Sequence, residues 1–116
     1  MKKISESKNI VQKSKFIGYL FEIESKEEIS EVVDFVEREN KKSRHICYGA
    51  IIDNEEISKN DGEVGSPGKV LLQILENEGL KSHVLIVARV FGGIKLGVGG
   101  VSRSFRACGQ AVTSKN

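Results

Sequence analysis

The chain has no tryptophan, one proline, two histidines and two cysteines in 116 residues. Each scarcity removes a class of protein. Cys47 and Cys108 cannot build a disulfide framework, and they sit in apolar surroundings without metal-ligand spacing, so they read as reduced, buried thiols. Five Phe and two Tyr, most at core-like positions, are too few for a platform on which bases would stack. With 39% hydrophobic and 29% charged residues, the composition is that of an ordinary globular chain, and no internal repeat or linker is visible. No apolar run approaches the ~20 residues of a membrane span, and the N-terminus carries no signal-like apolar stretch. A cytoplasmic protein with no membrane partner is expected. The length suits one small domain, residues 1–116, built on one hydrophobic core.

Glycine, by contrast, is concentrated. Gly92, Gly93, Gly97, Gly99 and Gly100 fall within nine positions, between an apolar strand and an amphipathic pattern. Such density leaves backbone N–H groups uncovered and free to take positive φ, which a tight strand-to-helix turn needs. A helix beginning near Gly100 would aim its unpaired N–H groups and positive dipole end at this turn, a geometry that attracts phosphate or another oxyanion. Arg89, Lys95 and Arg103 flank it, and Ser102 and Lys69 complete the candidate anion or nucleic-acid surface. The competing reading is that the glycines only permit a tight turn and close helix–sheet packing. The segment is not a Walker A loop, because Gly68-Lys69 is followed by Val70. Nor is it a dinucleotide fingerprint, because Gly97-Val98-Gly99-Gly100 lacks the spacing.

Charge is polarised along the chain although the net value is only +2. Residues 22–39 carry eight acids against two bases, whereas residues 67–116 carry seven bases against two acids. An anionic partner would approach the second half. Solvated faces that balance one another are the plainer alternative.

Aromatic and β-branched content predicts a strand at 15–23 and a weaker one within 3–11. Ser25-Lys26-Glu27-Glu28 reads as a capping box, and Ile29, Val32, Val33 and Val36 follow at helical spacing to about Asn40. Residues 46–52 and the nearly continuous apolar run 83–91 predict buried strands, the second a central one. Ser66-Pro67 reads as an N-cap and first helical position, with Val70, Leu71, Ile74 and Leu75 on one face and Gly79 as the stop. Val101, Phe105, Cys108 and Val112 face inward on the last helix, turning Arg103 and Arg106 outward. Residues 53–65 read as a long mobile loop. The expected fold is α+β, a two-layer sandwich of about four strands with three helices on one face.

Within that loop and directly after it, Asp61, Gly62, Glu63 and Ser66 form a candidate lid over the glycine turn. Two carboxylates within three residues can ligate magnesium, yet no further acids converge in sequence and Asp-Gly is an ordinary turn signal, so no metal is expected. His45 and Cys47 would share a face of their strand, but a thiol embedded in an apolar run is a small hydrophobe rather than a nucleophile. No catalytic residue and no cofactor is expected.

Taken together, Arg44-His45-Ile46-Cys47-Tyr48, Asp61-Gly62-Glu63, the turn from Arg89 to Gly100 and the start Lys13-Ser14-Lys15-Phe16-Ile17 resemble the Impact/YigZ family. The likeness runs from about residue 10, with three motifs in order; Val64 stands where the family pattern has proline. The resemblance implies a ribosomal protein S5 domain 2-like fold in a cytoplasmic protein tied to nucleic acid and translation control. Eukaryotic relatives oppose the amino-acid-starvation kinase pathway, a stress response, and bacterial relatives add a ferredoxin-like second domain, which is not expected within residues 1–116. Three functions remain open at this point: a non-catalytic module contacting RNA or a ribosome-associated factor through the glycine-rich basic surface, a protein–protein regulator acting through the acidic helix 26–39, and an enzyme or binder of a small phosphorylated compound.

Overall fold

The structure, a computed structural model, describes residues 1–114. Eight elements follow in chain order: β1 (Lys2–Val11), β2 (Ser14–Glu22), α1 (Glu28–Glu39), β3 (His45–Ile52), β4 (Glu55–Lys59), α2 (Pro67–Glu78), β5 (His83–Val90) and α3 (Gly97–Thr113). The strands form one antiparallel sheet in the order β1-β2-β5-β3-β4. The class is therefore α+β, as expected, with one strand more.

That extra strand is β4, which lies inside the predicted loop 53–65. Asp53 and Asn54 take φ of 52° and 62°, a two-residue turn whose twist matches that of the strands it joins, and the chain returns along β3 with Ile52 opposite Glu55. Only Ile57 of β4 is partly buried, so its sequence carries little apolar signal.

The helices do not share a face, contrary to expectation. Alternate side chains of the central strands point to opposite sides of the sheet. Phe16, Leu20, Cys47, Leu85 and Val87 pack with Leu71, Ile74 and Leu75 of α2 and Val101, Phe105, Cys108 and Val112 of α3. Tyr19, Phe21, Ile46, Val84, Ile86 and Ala88 pack instead with Ile29, Val32 and Val36 of α1. The sheet is the middle of three layers, and two apolar clusters replace the single expected core. Fully burying a Val, Leu, Ile or Phe side chain contributes roughly 1.5–3 kcal/mol; five consecutive buried apolar residues, Val84 to Ala88, line β5, so that strand is coated on both sides.

Helix ends follow local chemistry, with changes of detail. Glu28 accepts from the backbone N–H of Ser25 at 2.9 Å, one half of the predicted capping box, and α1 begins at that residue. Gly79, at φ 66°, ends α2 as predicted. Ser66 does not cap α2: its φ of 50° takes the hydroxyl out of position, and Asn60 Oδ1 accepts from the Gly68 N–H at 2.8 Å instead. α3 begins at Gly97, three residues before the expected start.

Candidate functional site

The β3–β5 ladder places His45 opposite Arg89, and β2 places Phe16 on the other side of Arg89. Strand parity turns all three toward the α2/α3 side, at the end of the sheet where α3 begins. Arg89 does not take the role expected of it. Rather than facing solvent as an anion contact, its Nη1 donates to both Glu63 oxygens, at 3.1 and 3.0 Å, with the two side chains only 8% and 4% exposed. Its guanidinium also lies 5.7 Å from the Phe16 ring centroid and 5.6 Å from that of Phe91. The Arg89 Nε is buried without a hydrogen-bond partner among the described residues, a penalty of about 1–3 kcal/mol.

The acidic segment predicted to form a lid is docked on β3. Asp61 Oδ2 accepts from the Ile46 N–H at 2.7 Å, the Asp61 carbonyl lies 2.8 Å from His45 Nδ1, and the Asn60 carbonyl accepts from the Cys47 thiol at 3.1 Å. Because Nδ1 faces a carbonyl, it carries the hydrogen, which leaves His45 Nε2 looking at Glu63 Oε2 from 3.8 Å. Asp61 and Glu63 thus serve different protein partners. Among the described residues no group of three His, Cys, Asp or Glu is placed to hold a metal ion. Cys47 is fully buried, and burial followed by the nearby Glu63 and Asp61 carboxylates pushes its thiol pKa well up, so the strand pair His45/Cys47 is no thiolate–imidazole couple.

Two concavities meet at the glycine turn. A cleft of about 370 Å³ is lined by Arg44, His45, Glu63 and Arg89 at one end, with Phe91, Val64, Val98 and Val101 as its apolar walls. A neighbouring groove of about 450 Å³ holds Gln12, Ile94, Gly100, Arg103 and Ala107. Lys95 and Leu96 line both and divide them. Over the cleft, the Arg44 guanidinium sits 4.7 Å from the Phe91 centroid. The first turn of α3 contains no acid, so its positive end is uncompensated from within the helix.

The glycines divide by role. Gly93 and Gly97, at φ 92° and 74°, face open space and make the turn. Gly92 is sealed: a Cβ there would lie 2.1 Å from the Lys13 carbonyl carbon, and its N–H donates to Ser14 Oγ at 3.2 Å. Its amide is unavailable to a ligand. Gly99 and Gly100 belong to the first turn of α3, where Arg103 folds back over Gly99. Ser102 lies against Gly65 of the acidic loop, and Lys69, exposed in the first turn of α2, lines neither concavity. The structure therefore joins Lys95, Arg103 and the α3 start, and separates Lys69 and Gly92 from them. Arg44 and Phe91 were missed as site residues, because only the strand order puts the beginning of β3 beside the end of β5.

Fold and site together define a small α+β domain with a basic, partly apolar cleft at a helix start. The family follows from comparison. Residues 12–113 match the Impact N-terminal domain, and the chain belongs to that family. It is 33% identical over 109 residues to IMPACT family member YvyE of Bacillus subtilis (strain 168), covering 90% of this chain and 50% of that protein. Against IMPACT family member YigZ of Escherichia coli (strain K12) it is 33% identical over 101 residues, covering 82% and 50%. The chain spans about half the length of the curated relatives it matches. A crystal structure described as a hypothetical protein superimposes with a TM-score of 0.89 at 25% identity, over 96% of this chain and 57% of that one. The two-domain translational regulator Yih1 shares the fold at a TM-score of 0.55 and 17% identity, over 98% and 46%. Among the described residues no helix is long and apolar enough to cross a membrane.

Proposed function

We propose that this domain is a non-catalytic binding module that takes the phosphate backbone of RNA along the start of α3, in a protein concerned with translation control. The observation that carries the reading is the groove in which Lys95 and Arg103 lie together beside the open helix start with no carboxylate in its lining. Arg106 stands exposed one turn further on, and α3 has no acidic residue along its length. Cations set against unpaired N–H groups hold phosphate without reading bases, so binding should be salt-dependent and weakly sequence-selective. The shared fold with Yih1, described as a translational regulator, supports the setting.

The test is titration of a structured RNA at several salt concentrations. Each phosphate contact contributes roughly 0.7–0.9 to the slope of log affinity against log salt. Lys95→Ala with Arg103→Ala should flatten that slope by about 1.5 and weaken binding, with no change in folding because both side chains are exposed. Unchanged affinity in the double variant overturns the proposal.

A second reading has its own observation. Glu27, Glu31, Asp34 and Glu37 are exposed on or at the start of α1, on the sheet face opposite α3, where a basic protein partner would dock. On that reading charge reversal at Glu27, Glu31 and Asp34 abolishes partner capture and leaves RNA affinity unchanged.

A further inference from the structure

We infer that the cleft between β3, β5 and the start of α3 is a separate pocket for a phosphomonoester that also bears a planar ring, as a nucleoside monophosphate does. This rests on the reading that phosphate is received at this end of the molecule, and it narrows the ligand for one of the two concavities.

Charge balance points to a dianion. Arg89 is matched by Glu63, whereas Arg44 and Lys95 form no ion pair among the described residues. Two positive charges and the α3 N-terminus are left facing one cleft. An internal phosphodiester brings one negative charge; a terminal phosphate brings up to two at neutral pH. Arg89, nine-tenths buried and with no acceptor for its Nε among the described residues, lies in the same lining.

The walls suit a flat, weakly polar body. Val64 and Val98 are 48% and 60% exposed, and they line a cleft that Leu96, Val101 and Phe91 complete. Arg44, already positioned over Phe91 at 4.7 Å, presents a guanidinium plane on which a ring can stack. At about 370 Å³ the cleft is at the small end of the range of small-molecule sites, about 300–1,000 Å³.

The experiment uses AMP, adenosine, 3′,5′-cyclic AMP and inorganic phosphate as probes, followed by calorimetry and by amide shifts in the NMR spectrum of the whole chain. AMP should bind at least about tenfold more tightly than each of the other three, since only it supplies both ring and dianion. Its shifts should centre on residues 44, 91 and 95–98. Val98→Asp places an acid in the first turn of α3, which favours the helix while repelling the phosphate, so AMP affinity should fall about tenfold with thermal stability kept. Arg44→Ala should weaken AMP binding similarly. AMP binding no tighter than phosphate or cyclic AMP, or insensitivity to Val98→Asp, overturns the inference. If AMP fails while RNA affinity still depends on Lys95 and Arg103, the pocket falls and the RNA reading stands; if both fail, both fall.

Discussion

Glu63 and Arg89 are 26 residues apart in sequence, yet both oxygens of the carboxylate accept from a single guanidinium nitrogen at 3.1 and 3.0 Å. This contact anchors the acidic loop against the end of the sheet. Val64, the next residue, becomes a wall of the cleft.

Breaking that pair from either side should be severe. Glu63→Leu or Arg89→Met alone leaves a buried charge uncompensated, and each should lower stability by about 3–5 kcal/mol in urea denaturation. The double substitution removes both charges and should cost much less than the two single losses added together. Additive losses would mean that the two groups act independently.

Gly49 sits where α2 crosses β3, and a Cβ built there lies 2.5 Å from the backbone nitrogen of Leu72. Backbone cannot yield as a side-chain tip can. Gly49→Ala should destabilise by about 1–3 kcal/mol and lower the melting temperature by several degrees, despite the better intrinsic propensity of alanine. A melting temperature equal to that of the parent would show that α2 packs less closely than described.

The N-terminal ammonium of Met1 and the backbone N–H groups of Glu24 and Ser25 converge on the Glu28 carboxylate and hold its pKa down, at about 2. A carboxyl depressed on folding stabilises above its ordinary value of 4.5, and that contribution is lost as pH falls toward 2. The same ammonium is raised above 8.0, chiefly by its hydrogen bond to Glu28, so its contribution is present below pH 8 and lost as pH rises through the folded value. Glu28→Gln should flatten the stability profile at both ends. Parallel profiles for the two proteins, followed by urea midpoint against pH, would contradict these contacts.

Local chemistry was a sound guide wherever the structure-forming signal was itself local. The spacing of Ile29, Val32 and Val36, the Pro67 start and Gly79 stop of α2, and the inward face Val101, Phe105, Cys108 and Val112 all stand as read. For β4 a usable cue existed in Asp53-Asn54, both residue types that tolerate the left-handed region, but a strand with one half-buried side chain offered no apolar pattern to confirm it. The candidate site was only partly legible. Lys95, Arg103 and the open helix start were visible as a cluster in sequence, whereas Arg44 and Phe91 come together across a strand pairing that no local pattern encodes.

From the order of its residues alone, this chain specifies its class, most of its elements, which helix faces turn inward, and a family likeness that comparison established. Tertiary structure alone decided which side of the sheet each helix covers, because strands buried on both faces present nearly equivalent apolar surfaces and only connection geometry distinguishes them. It also decided the fate of the charges. An arginine in a sequence is a cation of unknown circumstance, and packing determined that Arg89 meets Glu63 while Arg44, Lys95 and Arg103 line the two concavities with no ion pair among the described residues.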